Sequence, residues 1–489
     1  MKRLKVLLIS LLILCLFSVS AFADSALPYQ NYTYSEKGGN LVLGPDAFIP
    51  ESVTYGSDLG IGTMKEPTDI ETDENGNIYV LDADNDRIVI MDSKAKLVGT
   101  INGFDNGGVK DTFVKAQGLF VDEDYIYIAD TDRSRVVILD IKTHALVNIV
   151  NQPVAKVLGD DFIFKPVSLV ADSDKLLYVV GEGVYEGIIT IDWDSNFAGF
   201  IGSNSVTPSL FDRVWLNFAT VTQRKTMVQY VPQDFSSIEI DDEGFYFVTT
   251  STYKSGENTM VKRLNPGGTN VLTNLSNVNT IGDPGYYWSG EALGYSSFTD
   301  VAAGDNKIFA CLDYRRNKIF VYNEDCYMLF SFGAISAQEG GFARPGALTW
   351  LDGYRIAVLD SERGSVTIFK PTDYAMAIFE GVEAQATLQY DLAFEKWQTV
   401  LSLNNGFELA HIQCGKTYLN IGEYAKAMKE FKLGHNKTLY SKAMEKNRAE
   451  WIKENITTIF VIVLALIALV FVRRFILLIK KKTNKKKGK

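Results

Sequence analysis

A unit of strand, turn and strand recurs along this chain, and that repetition limits the possible fold more than any other feature. The best-formed copy is PTDIETDENGNIYVLDADNDRIVI at 67–90, where Ile78, Val80, Ile88 and Ile90 bracket a polar DADNDR corner. Close copies lie at 116–139 (AQGLFVDEDYIYIADTDRSRVVIL), 298–321 and 345–369, with looser ones at 166–191 and 235–264. The residues closing the second strand of each are Asp82, Asp130, Gly181, Thr250, Asp313 and Asp360, and well-matched neighbours are 48 or 47 positions apart. Strand repeats of about 40–50 residues arrange radially, because a ring of small sheets leaves few exposed edges. The expected fold is therefore an all-β six-bladed β-propeller.

The turns themselves carry a resemblance. LDADNDRI at 81–88 and ADTDRSRV at 129–136 resemble the turn of NHL repeats, whose pattern is roughly A-D-T-x-N-x-R-I. Asp313 with Lys318-Ile319 and Asp360 with Ser365-Val366 are weaker versions, and the third and fourth copies lack the Asp. The likeness covers about residues 60–380. It implies a propeller, and because such propellers serve as binding modules, lyases and lactonases alike, it implies no single activity.

Residues 24–63 precede the first copy and contain β-rich pieces at 41–43 and 48–55. A propeller must join its first and last blades, and an N-terminal strand that completes the last blade removes an exposed edge. This stretch is read as that closing strand, with the propeller over 64–380.

Both ends of the chain are apolar and basic. Residues 1–23 read as a secretory signal peptide: Lys2, Arg3 and Lys5, an apolar run, then Ala21-Phe22-Ala23. Near the other end, 456–472 is uncharged, and with 475–479 beyond Arg473 and Arg474 the run 456–479 is long enough to cross about 30 Å of hydrocarbon as one transmembrane helix. The basic tail at 480–489 belongs in the cytoplasm by the positive-inside rule. The expected location is the plasma membrane, single-pass, with the propeller outside. Twelve of the 49 basic residues and none of the 59 acids fall in these two ends, which leaves the remainder at −22. A surface that acidic excludes nucleic acid as a partner.

Between propeller and span, 381–455 changes to helical periodicity. Gly415, Tyr418, Gly422, Tyr424, Ala427 and Phe431 resemble the tetratricopeptide consensus, and Tyr390, Ala393 and Trp397 the second helix of a preceding unit. His411 and Cys414 depart from it. This resemblance implies a small helical stalk that docks a partner or only packs. A further short helix is expected over 208–227, from Leu210, Val214, Phe218 and Val221 at helical spacing.

Candidate binding residues come from two places. The Gly-rich segment 281–297 holds Tyr286, Tyr287, Trp288 and Tyr295, rings that either stack on a ligand such as a glycan or pack as a satellite core. Asp69, Glu239 and Asp300 sit in the first strand of their blades, where carboxylates face an axial channel. Propeller lactonases of the gluconolactonase type hold a divalent metal in that channel, so these three are candidate ligands for Ca2+ or another divalent cation. Their alternative is hydration or pairing at the channel mouth. The D-x-D-x-D at 82–86 lacks the Gly and the twelfth-position Glu of a calcium loop.

Catalysis by histidine has little to draw on. The chain has three histidines, His144, His411 and His435, and only the first lies in the propeller. Propeller lyases that resemble these repeats use several. The mature cysteines Cys311, Cys326 and Cys414 form no disulfide framework, and a Cys311–Cys326 bridge stays open. The reading is a non-catalytic, membrane-anchored binding or scaffold protein whose partner is a glycan, a peptide or a membrane protein. The alternatives are a metal-dependent hydrolase resembling gluconolactonases and an accessory subunit of a transporter or secretion complex.

Overall fold

The computed structural model describes residues 27–159, 161–202, 235–250, 260–276, 278, 281–285 and 294–486, with side chains through Ile479. The signal-peptide segment, the helix expected over 208–227, and Tyr286, Tyr287 and Trp288 lie outside the described residues. The chain divides into two compact units, Met1–Gln389 and Tyr390–Lys489.

The first unit is a six-bladed β-propeller of antiparallel sheets. Blade 1 is Pro67–Thr72, Ile78–Asp82, Arg87–Met91 and Leu97–Ile101, and blades 2, 3 and 5 repeat the four-strand pattern. Blade 4 shows three strands among the described residues, Ser237–Ile240, Tyr246–Thr249 and Val261–Leu264. Blade 6 takes Pro345–Leu351, Arg355–Asp360 and Ser365–Pro371 from one end of the propeller sequence. Its outer strand, Phe48–Tyr55, comes from the other, pairing from Ser365↔Tyr55 to Pro371↔Phe48. The short piece Leu41–Leu43 pairs instead with Tyr32–Tyr34.

Both faces of each blade are buried, and the sequence shows why. In Ile78–Asp82 every residue is buried. Ile78 and Val80 pack with Val366 and Ile368 of blade 6. Tyr79 and Leu81 pack with Ile126 and Ile128 of blade 2. A strand apolar on both sides can only be satisfied between two neighbours, each such side chain contributing about 1.5–3 kcal/mol on full burial. Cys311 and Cys326 are buried free thiols in the core between blades 4 and 5.

The repeated Asp is a structural pin. Asp82 Oδ1 accepts from the Lys65 N–H at 2.7 Å, and Oδ2 accepts from Arg87 Nε at 2.7 Å and Asn85 Nδ2 at 2.9 Å. Asp130 does the same with the Val114 N–H and Arg135 Nε, and Asp360 accepts from the Ala343 and Arg344 N–H groups. Each carboxylate ties the segment entering its blade to the turn that closes the second strand. The D-x-D-x-D stretch therefore works as a protein-bonded turn, with Asp86 in the left-handed region at φ 50°.

The propeller ends earlier than the sequence suggests. Helix α1, Asp373–Ala386, begins eight residues before residue 381, where the helical period was expected, capped by Thr372, whose Oγ1 accepts from the Ala375 N–H. The reason is aromatic packing onto the propeller. Phe379 stacks on Tyr354 with ring centroids 4.3 Å apart and meets Phe330 and Phe48 edge-on.

The second unit holds α2 (Tyr390–Leu403), α3 (Glu408–Asn420), α4 (Tyr424–Leu433) and α5 (Lys437–Lys486). Helices α3 and α4 form a close hairpin: a Cβ on Gly415 would stand 2.6 Å from the Phe431 ring, so only glycine allows that approach. Two histidine–carboxylate contacts brace it, His411 Nδ1 to Glu430 and His435 Nδ1 to Glu408, both 2.7 Å. Within α5, Ala443 is fully buried in a cluster with Ala427 and Phe431, whereas the run from Ile456 onward is exposed and apolar. It is the one candidate membrane span among the described residues.

Removing Asp82 strands the Arg87 guanidinium and the Lys65 N–H, so Asp82→Ala should cost about 3 kcal/mol in denaturant unfolding of the solubilised chain. Asp84→Ala, which removes an exposed carboxylate two residues away, should stay within about 0.5 kcal/mol of wild type.

Candidate functional site

The innermost strands follow one another around the axis in blade order, so blades 1 and 4 lie opposite. In blades 1, 3, 5 and 6 the pairing slips by one residue just inside the strand, between Pro67 and Asp69, Pro166 and Ser168, Phe298 and Asp300, and Pro345 and Ala347. Such a bulge re-aims the side chain that follows it. In the odd blades that side chain reaches the next blade. Asp69 Oδ2 accepts from the Leu119 N–H at 2.7 Å, Ser168 Oγ from the Ile238 N–H at 3.1 Å, and Asp300 Oδ2 from the Leu348 N–H at 2.9 Å. The even blades present small residues just before the donor: Gly118, Ser237 and Ala347. At Gly118 a Cβ would come within 2.6 Å of the Val167 carbonyl oxygen. The inner ring is thus closed by alternating acceptor and small side chains.

Among the described residues, Asp69 and Asp300 are two of four carboxylates facing the axis. Glu71 lies two residues along from Asp69 on the same face, and Glu239 holds the equivalent place in the opposite blade. All four are half-buried, and the exposure they keep is toward the channel, since the other face of each strand carries the buried Ile70, Ile238 and Val301. None is paired with a lysine or arginine among the described residues. Burial, followed by the charge of Glu239 and then Asp69 and Asp300, pushes Glu71 well above the usual carboxylate range. Burial and the charges of Asp300 and Asp69 raise Glu239 likewise, and burial and Asp300 raise Asp69. Burial lifts Asp300 to about 6 against its hydrogen bonds from Leu348 and Ser237. Shared burial without a counter-ion favours the protonated form of such groups.

Of the residues singled out in the sequence, the fold brings Asp69, Glu239 and Asp300 to one channel. Glu71 was missed, although its i+2 spacing from Asp69 on a strand was the available signal. Asp69 and Asp300 accept backbone hydrogen bonds, and among the described residues no group of three His, Cys, Asp or Glu is close enough to hold an ion directly.

The channel's far end widens into a pocket of about 480 Å³ between the turns of blades 1, 4, 5 and 6. Its wall includes Asp73, Glu74, Asp242, Asp305 and Asp352 beside Trp350 and Tyr354. Asp73 serves its own turn, accepting from the Asn75 and Asn77 N–H groups.

The aromatic segment of blade 5 is described only at its base. Arg316 Nη2 donates to the carbonyls of Gly285 and Gly294 at 2.9 and 3.0 Å, and its Nε donates to Asp283, which also accepts from Tyr32 and Tyr34. Tyr295 follows this clamp and is half-buried. His144 lies in the outer turn of blade 2 at φ 56°, away from the inner strands.

No family model matches the chain, and no curated protein resembles it in sequence. Among solved structures it is similar to virginiamycin B lyase from Staphylococcus aureus, at 12% identity and a TM-score of 0.37 over 68% of this chain and 90% of that one. It is also similar to a streptogramin B lyase, at 11% identity and a TM-score of 0.38 over 67% and 98%. A third likeness is to the Swd1 β-propeller domain of Myceliophteria thermophila, at 10% identity and 0.39 over 67% and 100%.

A carboxyl with raised native proton affinity binds more protons folded than unfolded. Its penalty is absent at low pH and grows as pH rises from the ordinary range through the raised value. Glu239→Gln removes one of the four charges, so it should be more stable than wild type by about 1 kcal/mol at pH 8, a gap that closes toward pH 4. Thermal melts of both proteins across that range check the sign.

Proposed function

We propose that this chain is a membrane-anchored extracytoplasmic binding or scaffold protein, non-catalytic, whose propeller receives a cationic group of a peptide or protein partner in its axial channel. The observation that carries the reading is the set of four channel carboxylates, Asp69, Glu71, Glu239 and Asp300, drawn from blades 1, 4 and 5 and without a basic partner among the described residues. An ammonium or guanidinium group entering there would relieve their mutual repulsion in a setting of low effective dielectric. The acidic mouth of the pocket adds a field that steers cations inward.

The rest of the chain supports display of that head outside the cell. The N-terminal leader and the basic tail after the apolar helix agree on orientation. The α3–α4 hairpin, with Gly415 against Phe431, supports a tetratricopeptide-type stalk. A hydrolase resembling gluconolactonases is the alternative reading, and it would need metal ligands that converge on one ion. Glycan binding through Tyr286, Tyr287, Trp288 and Tyr295 is a separate proposal, and the first three lie outside the described residues.

Thermal unfolding of the full chain with spermidine, an arginine-containing peptide or calcium chloride tests the channel reading. A probe at about 100 times its Kd should add roughly 2.7 kcal/mol to the native state. The shift should be lost in Glu71→Gln/Glu239→Gln. No shift with spermidine or the peptide, a shift with calcium alone, or an equal shift in the double variant would overturn it.

A further inference from the structure

Trp451 stands out in the second unit. Among the described residues it is the one tryptophan more than half exposed, at 57%, and Ile452 beside it is 43% exposed. Both project from α5, the helix whose later residues form the candidate span. An indole left in water on a lone helix is unfavourable, whereas the membrane interface suits a ring with an apolar body and a polar N–H.

The spacing says where on the bilayer it would lie. At 1.5 Å per residue, Trp451 is about 8 Å before Ile456, where the uncharged run begins. The headgroup zone on each side of the hydrocarbon is about 5–8 Å deep. From Ile456 to Arg473 is about 26 Å along the helix, a few ångströms short of the roughly 30 Å of hydrocarbon, a gap that local thinning and the reach of the two arginine side chains close. The apolar run through Ile479 would also permit a second register, with 460–479 in the hydrocarbon. That register lifts Trp451 about 13 Å clear of the core and buries Arg473 and Arg474, each costing about 2.5–3.5 kcal/mol at the membrane centre and less near its edge.

We propose that Trp451 contacts lipid in the headgroup zone on one side of the bilayer, with Arg473 and Arg474 at the opposite boundary. This pairing sets the depth of α5. The placement rests on the reading of α5 as a membrane span. Arg448 and Lys453 flank the indole as donors to lipid phosphate, with Glu450 and Glu454 among them, so the ring rather than net charge sets the depth. Ala443, packed in the helical cluster, then lies about 20 Å along the helix from the start of the hydrocarbon. The α3–α4 hairpin is held next to the membrane surface, within reach of the exposed parts of other membrane proteins.

The full chain reconstituted in phosphatidylcholine nanodiscs, with bromines placed near the headgroup or near the chain ends, reads this depth through tryptophan quenching. Headgroup-proximal bromines should remove on the order of one-sixth of the emission, Trp451 being one of six tryptophans, and chain-end bromines less. Trp451→Phe should abolish the difference. Quenching that persists in Trp451→Phe, no lipid-dependent quenching, or stronger quenching by chain-end bromines would overturn the placement. Flotation of the same protein with liposomes after alkaline extraction is the separate readout. A chain that floats without shallow quenching defeats only the placement, and one that does not float defeats the span and the placement together.

Discussion

The pairing of Phe48–Tyr55 with Ser365–Pro371 is the contact on which the propeller depends. Six sheets can bury both faces only if each has two neighbours, and blade 6 lacks its outer strand until the N-terminal segment supplies it. A ring open at that point would expose a sheet edge and the apolar flanks of blades 1 and 6. Closure also sets the inner ring. The latches from Asp69, Ser168 and Asp300 each cross a blade boundary, so each requires its neighbour at a fixed distance.

The same ring produces the candidate site. Closing blades 1, 4 and 5 around one axis forces Asp69, Glu71, Glu239 and Asp300 toward each other. Asp69 and Asp300 are partly compensated by the N–H groups they hold. Among the described residues Glu239 takes no such bond, and Glu71, with one from the Thr72 N–H, faces it from the opposite blade. The structural task and the binding task thus fall on neighbouring carboxylates: the outer pair holds the ring, and the inner pair leaves charge for a ligand.

How much of this was legible in the sequence depended on range. The Asp82 and Asp130 turns were readable because their partners, Arg87 and Arg135, lie five residues away on the same hairpin. Closure by 48–55 followed from the edge problem. The alternation of Asp69, Gly118, Ser168, Ser237, Asp300 and Ala347 was not readable, because its meaning appears only when residues about 50 positions apart become neighbours. The early start of α1 was hidden for a similar reason: Phe379 finds Tyr354, Phe330 and Phe48, of which only Tyr354 is near in sequence. Glu71 was legible from its i+2 spacing to Asp69, which on a strand puts both side chains on the channel face.

The central claim is that the channel holds carboxylates without counter-ions, and infrared spectroscopy reads it directly. The difference between wild type and Glu239→Gln isolates the carboxyl bands of Glu239 and its neighbours as pH is varied. The account predicts a carboxyl that protonates well above the ordinary range near 4.3, with smaller shifts in the bands of the groups that repel it. A single band titrating within that ordinary range would show that water or an unrecognised partner already compensates the charge, and would contradict the account.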